Sequence, residues 1–185
     1  MSLASLFRRN RHRDAALRLY HAIVAQARAP VFFAGFGVPD TFDGRFELIA
    51  LHGYLVLNRL KAEGPRMAEL AQELFDVMFA DFDRGLREMG VGDLGVGRQV
   101  KTMAQAFYGR IGAYDEGLAA DGPASLVEAL RRNLYGTVTT TDDRDIAGIA
   151  AYLRRCMAEI AAQPVARLID GEVSFAALPG AAGAA

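Results

Sequence analysis

Along most of this chain apolar residues recur three and four positions apart, the period of a helix with one buried face. No segment alternates apolar and polar residues as a half-buried strand does. The spacing predicts a first helix over about 14–29, with Leu17, Tyr20, Val24 and Ala27 on one face, Asp14 as its N-cap and Pro30 as its stop. The connector "VFFAGFGVPDTFDG" follows, and its Phe32, Phe33 and Phe36 are expected to tuck against the core. A second helix, about 41–63, is apolar nearly all round and is therefore predicted to be the most buried. The third, about 65–89, opens on a proline and carries the stripe Leu70, Leu74, Val77/Met78, Phe82, Leu86 and Met89. Its other face is charged, with Glu69, Glu73, Asp76, Asp83 and Arg87.

A fourth helix is predicted over about 96–119, where Val96, Val100, Met103, Phe107, Ile111, Tyr114 and Leu118 make a seam for antiparallel packing. A short helix over about 124–135 ends at Gly136, and a last one, capped by Thr141 or Asp142, runs to about 162. The expected fold is all-α, a single-domain bundle of about six helices. It divides into a basic N-terminal arm (1–13), the helical domain (14–162) and a largely flexible C-terminal tail (163–185).

The third and fourth helices are separated by "EMGVGDLGVGRQ", in which Gly90 to Gly95 fits G-x-G-x-x-G. That fingerprint holds a dinucleotide only when a strand feeds the turn and a helix leaves it. Here a helix ending "LREM" leads into Gly90, and the P-loop alternative meets Arg98 and Gln99 where Lys and Ser/Thr are required. A helix-to-helix turn explains the glycines better, with Gly90 as the left-handed residue just past the third helix. The alternative is a phosphate or nucleotide ligand held by the Gly90–Arg98 turn with help from Lys101.

Composition narrows the function. Hydrophobic residues make up 52% and charged residues 23%, with a formal net charge of −1, so the surface is not built to coat nucleic acid. Cys156, the only cysteine, is expected as a small buried residue, and its solitude fits a reducing compartment. The longest nearly apolar run, "LIALHGYLVL" at 48–57, is ten residues, about half a bilayer span. Metal sites in bundles use Glu-x-x-His pairs. Glu47 and His52, at i,i+5, point to different faces, and His12, His21 and His52 are expected to be structural. Four serines (2, 5, 125, 174) without G-x-S-x-G give no nucleophile–base pair, so no catalytic, cofactor or metal residues are assigned. In the arm, Leu3, Leu6 and Phe7 precede Arg8, Arg9, Arg11 and Arg13, a pattern suited to an anionic membrane surface or to RNA and explained equally well by a solvated terminus.

Leu74–Arg110, "LFDVMFADFDRGLREMGVGDLGVGRQVKTMAQAFYGR", resembles the signature of the ubiquinol–cytochrome c chaperone family. "VPDTFDGRFELIALHGYLVLNRL" at 38–60 and "NLYG" at 133–136 resemble its other landmarks, in the same order, and the similarity covers about 14–160. The chain begins almost at the shared domain and so resembles a bacterial form. The resemblance implies a non-enzymatic, cytoplasmic assembly chaperone of the cytochrome bc1 complex, working at the inner membrane surface. Its implied client is newly made cytochrome b, and mitochondrial members act with a small partner protein. A client-holding surface is expected where the third helix, the glycine turn and the fourth helix meet, through Arg87, Glu88, Gly90, Gly92, Asp93, Tyr108 and Arg110.

Overall fold

The computed structural model describes residues 3–138 and 141–178, with side chains from residue 11 onward. Eight α-helices are found there: α1 (Leu3–Ala27), α2 (Pro30–Ala34), α3 (Phe42–Ala62), α4 (Ala68–Glu88), α5 (Asp93–Ala119), α6 (Ala124–Asn133), α7 (Asp143–Ala162) and α8 (Val165–Ile169). A 3₁₀ turn at Pro65–Met67 joins α3 to α4, and no strand occurs among the described residues. Six of these helices have ten or more residues, so the all-α bundle expected from the period is the fold observed.

α3 is the axis. Its buried residues run without a break from Phe46 to Val56, and α1, α4 and α7 surround it. Thr41 caps it, its hydroxyl accepting from the Gly44 N–H at 3.2 Å. Asp142 caps α7 in the same way, accepting from the Arg144 N–H at 2.8 Å. α5 lies outside this centre, against α4 on one side and α6 on the other. Gly117 sets the α5–α6 approach, because a Cβ there would stand 2.8 Å from the Leu126 Cα.

The structure revises four expectations. α1 is helical from Leu3, so the basic arm continues the helix instead of preceding it; the side chains of Leu3, Leu6, Phe7, Arg8 and Arg9 lie outside the described residues. The buried face of α1 is Ala15, Ala16, Leu19, Tyr20, Ile23 and Ala27, which turns Leu17 outward. Small alanines let α1 approach α3 and α4 more closely than a leucine stripe would. Pro30 stops α1 but also begins α2, and Phe32 from that helix is fully buried. Finally, residues 163–178 are folded onto the bundle. Leu168 and Ala176 are buried, and the Gln163 amide accepts from the Ser174 N–H and donates to its carbonyl at 2.9 and 2.7 Å. Residues 179–185 of the expected tail lie outside the described residues.

One polar chain crosses the core. Gln26 donates to the Tyr152 hydroxyl at 2.8 Å, and that hydroxyl donates to His52 Nε2 at 2.9 Å. His52 Nδ1–H in turn donates to the Leu48 carbonyl at 2.7 Å. A carbonyl can only accept, so the proton sits on Nδ1 and Nε2 is the acceptor. Phe32 and Phe175 meet the imidazole edge-on at 5.5 and 5.2 Å. Every polar atom of the ring has a partner without the ring carrying charge.

Burial accordingly lowers the His52 pKa from 6.5 to about 4. Between those values the unfolded chain binds the extra proton and the folded chain does not. Stability present above pH 6.5 is therefore lost as pH falls toward 4, by about 3 kcal/mol across the window. Urea unfolding at pH 7 and pH 4.5 is expected to show this loss in the wild type. His52→Gln should be less stable at pH 7 but should lose much less on acidification.

Candidate functional site

The seam predicted for α5 is the one observed: Val96, Phe107 and Tyr114 are buried and Val100, Met103, Ile111 and Leu118 are half-buried. Four residues of this 27-residue helix are fully buried, so α5 rests on the bundle without being enclosed by it. Near its middle the contact opens into a groove of about 500 Å³ between the end of α3, the 3₁₀ turn, the start of α4 and α5. Leu57 and Leu60 come from α3, Ala68, Ala71 and Phe75 from α4, and Phe107, Tyr108 and Ile111 from α5. The gap exists because α4 begins with small residues where larger ones would close it. Tyr108 is 62% exposed and stacks on Phe75 with centroids 5.6 Å apart; Phe75 stacks in turn on Phe79 at 4.4 Å. The groove thus offers an aromatic wall to water, with Lys61 and Gln72 as polar lining residues.

The glycine turn lies at the far end of the α4–α5 hairpin. Gly90 has φ +84°, the Gly90 N–H donates to the Arg87 carbonyl at 2.9 Å, and the Val91 N–H donates to the Leu86 carbonyl at 3.1 Å. These two bonds are a Schellman closure of α4, which requires a left-handed residue at that position. Arg87 then staples the turn, donating to Asp83 at 2.6 Å and pairing with Asp93 at the first turn of α5. Asp93 places a carboxylate at the positive end of the α5 dipole. A helix leads into this turn where a dinucleotide fold needs a strand, so the Rossmann arrangement is not built here. Gly95 and Gly97 fall inside α5, and Arg98 and Lys101 are exposed on its surface.

The residues singled out from the sequence therefore separate. Tyr108 lines the groove; Arg87, Glu88, Gly90, Gly92 and Asp93 cluster at the turn, about 22 Å away along α5 at 1.5 Å per residue. Arg110, expected off the seam as a contact residue, turns inward. Its side chain is 15% exposed, makes a two-pronged ion pair with Glu47 and lies 5.3 Å over the Phe46 ring. Burial raises the Glu47 pKa while the Arg110 guanidinium opposes that rise. The pair borders a smaller cavity of about 330 Å³, reached by Phe46 from α3, Met103 from α5, and Asn133 and Gly136 at the end of α6. All three stretches that carried the family resemblance meet there.

Phe75, Ala68, Ala71 and Leu57 were not singled out as site residues. Phe75 did leave a trace in the sequence, an aromatic one position off the α4 stripe. The alanines gave none, since their role is the space they leave. Cys156 is buried and its thiol pKa is raised by that burial. Among the described residues no group of three His, Cys, Asp or Glu side chains is placed to hold a metal ion.

These features define an all-helical bundle with a preformed apolar groove. The chain belongs to the ubiquinol–cytochrome c chaperone family, which matches residues 34–175. It is similar to ubiquinol–cytochrome c reductase complex assembly factor 1 of Xenopus laevis, 30% identical over 141 residues, 76% of this chain and 70% of that protein. The human factor of the same name is 30% identical over 76% of this chain, and the yeast mitochondrial protein CBP3 is 30% identical over 68%. The chain spans less than half the length of these two, 46% and 38%. The crystal structure of the Cbp3 homolog from Brucella abortus superposes with a TM-score of 0.82 at 38% identity, covering 95% of this chain and 97% of that one.

Two pairs of substitutions separate scaffold from surface. Gly90→Ala should destabilise the fold by about 1–2 kcal/mol, because an L side chain strains the left-handed turn. Gly97→Ala, inside α5 with open space around its Cβ position, should stabilise it by about 0.5–1 kcal/mol. Arg110→Ala strands the Glu47 carboxylate and should cost about 3 kcal/mol, whereas Tyr108→Ala should cost about 1 kcal/mol or less. Chemical denaturation of the four variants checks all of these values.

Proposed function

We propose that this chain assists assembly of ubiquinol–cytochrome c reductase by holding an apolar helix of newly made cytochrome b in the α3/α4/α5 groove. The observation that carries the proposal is the stacked Phe75–Tyr108 wall of that groove, with Tyr108 exposed, in a chain whose family and relatives are assembly factors of this complex. A nascent membrane helix must keep its apolar face out of water until it meets its partners. A groove between helices receives such a face by ridge-into-groove packing, and the aromatic wall supplies contact area without new ordering of the chaperone. No covalent step is involved. Binding and release are the whole activity, and release follows when the client's own partners bury the same face.

Within this proposal Tyr108 is the contact residue. Arg87, Glu88, Gly90, Gly92, Asp93 and Arg110 serve it by fixing how α5 stands against α4 and α3. No described helix is long and apolar enough to cross a membrane.

The test is genetic and chemical. Deleting the gene should deplete the assembled complex at least several-fold while sparing other respiratory enzymes, and the Phe75→Ala/Tyr108→Ala chain should fail to restore it although it folds. A photo-crosslinking residue at position 108 should capture cytochrome b, identified by mass spectrometry. Normal levels of the complex in the deletion strain would refute the proposal.

A further inference from the structure

The groove between α3, α4 and α5 has two unlike ends. Phe75, stacked on Tyr108, makes one of them. Ala68 marks the other, seven residues back along α4 and about 10 Å away at 1.5 Å per residue. Lys61, Gly64 and Pro65 lie at that second end, where the 3₁₀ turn joins α3 to α4. Of the residues that line the groove, Lys61 alone is charged. It is exposed in the last turn of α3, and among the described residues it has no ion-pair or hydrogen-bond partner. Glu63, two residues on, is taken by Arg59 and Arg66. Gln72, the other polar side chain facing in from the first turns of α4, donates to Asp76 at 2.8 Å. An unanswered ammonium therefore stands at one end of an otherwise apolar furrow.

Length adds a second constraint. A helix that crosses a bilayer has about 20 residues and spans about 30 Å. A furrow of about 10 Å receives two of its turns, and Lys61 decides which two. In mid-helix every carbonyl is bonded within the helix, so the ammonium would gain nothing there. At a helix N-terminus it would meet free N–H groups and the positive end of the dipole. At a C-terminus it meets carbonyls without intrahelical partners and the negative end of the dipole.

We propose that the groove takes the C-terminal two turns of its client helix, with the apolar side chains on the Phe75–Tyr108 wall and the free carbonyls toward Lys61. This rests on the function proposed above and gives the groove a direction. The client helix runs from Tyr108 toward Lys61, antiparallel to α4 and parallel to α5. Lys61 is then the residue that sets specificity. A client whose apolar stretch is followed by an acidic residue is favoured, and one followed by Lys or Arg is rejected.

Hydrocarbon-stapled helical peptides of about 20 residues test this. Each carries one eight-residue Leu/Ala stretch at its C-terminal end, its middle or its N-terminal end, in a neutral Gln/Ser background. All are acetylated and amidated, so that no terminal charge contributes. By fluorescence anisotropy the C-terminal placement should bind the full chain about threefold or more tighter than the other two. Glu after that stretch should tighten binding and Lys should weaken it. In Lys61→Met, which keeps an apolar stem, all peptides should still bind but the preference and the charge effect should vanish. In Phe75→Ala/Tyr108→Ala binding itself should be lost. Equal affinities, preference for another placement, a preference that survives Lys61→Met, or no binding would each overturn the proposal. So would sedimentation of the free chain as a dimer that Tyr108→Ala dissolves, since a second copy would then fill the groove. The peptides read the direction of the groove, and crosslinking from position 108 reads the identity of the client. Failure to capture cytochrome b beside a C-terminal preference would remove the reading above and leave the direction standing; capture without a preference would do the reverse.

Discussion

A helix that is apolar around its whole circumference has to be enclosed, and α3 is such a helix. Phe46 to Val56 are buried without interruption, so neighbours are needed on every side. α1, α4 and α7 supply most of the enclosure, and Phe32 and Phe175 from the flanking segments complete it over His52. The imidazole in the middle of that helix would be a serious penalty if unpartnered. It is tolerated because the Gln26–Tyr152–His52–Leu48 relay satisfies both nitrogens in the neutral form. The relay also ties α1, α3 and α7 together, so the same polar group that threatens the core fixes how three helices meet in it.

Once α3 is enclosed, α5 is left with one side to pack. It settles on α4 and α6, held by the close approach at Gly117, by the Glu47–Arg110 pair and by the stapled turn at its start. These are rigid attachments at intervals along a long helix, and between them the contact is incomplete. The groove at Phe75 and Tyr108 is the consequence. A surface that must receive another chain benefits from this arrangement, since the helices that form its walls are positioned before the guest arrives.

The glycine-rich stretch illustrates how a motif can mislead when its context is left out. The same six residues that match a dinucleotide fingerprint here close one helix by a Schellman motif and start the next. The idiosyncratic run on either side of it serves the turn and the buried ion pair as much as the groove. Arg87, Asp93 and Arg110 all have their charges answered inside the fold. Under the proposed function their part is indirect, through the position of Tyr108.

Period alone was enough to show a helical bundle, to place its six main helices and to mark α3 as the most buried. Hydrophobic burial acts on every turn, so the signal repeats along the chain. The α5 seam and the left-handed Gly90 were legible for the same reason, being local consequences of packing and of backbone sterics. Tyr20 and Ala27 on the inner face of α1 were legible too, but the outward turn of Leu17 was not, because Ala15 and Ala16 outrank it only when two other helices crowd against them. Nor was the folded course of 163–178, whose order comes from the Gln163 amide and from Phe175 on His52. The groove itself is made of space beside Ala68 and Ala71, and an empty volume is a property of three helices together. Residue type and spacing decide what each helix must bury; only their mutual packing decides what is left uncovered.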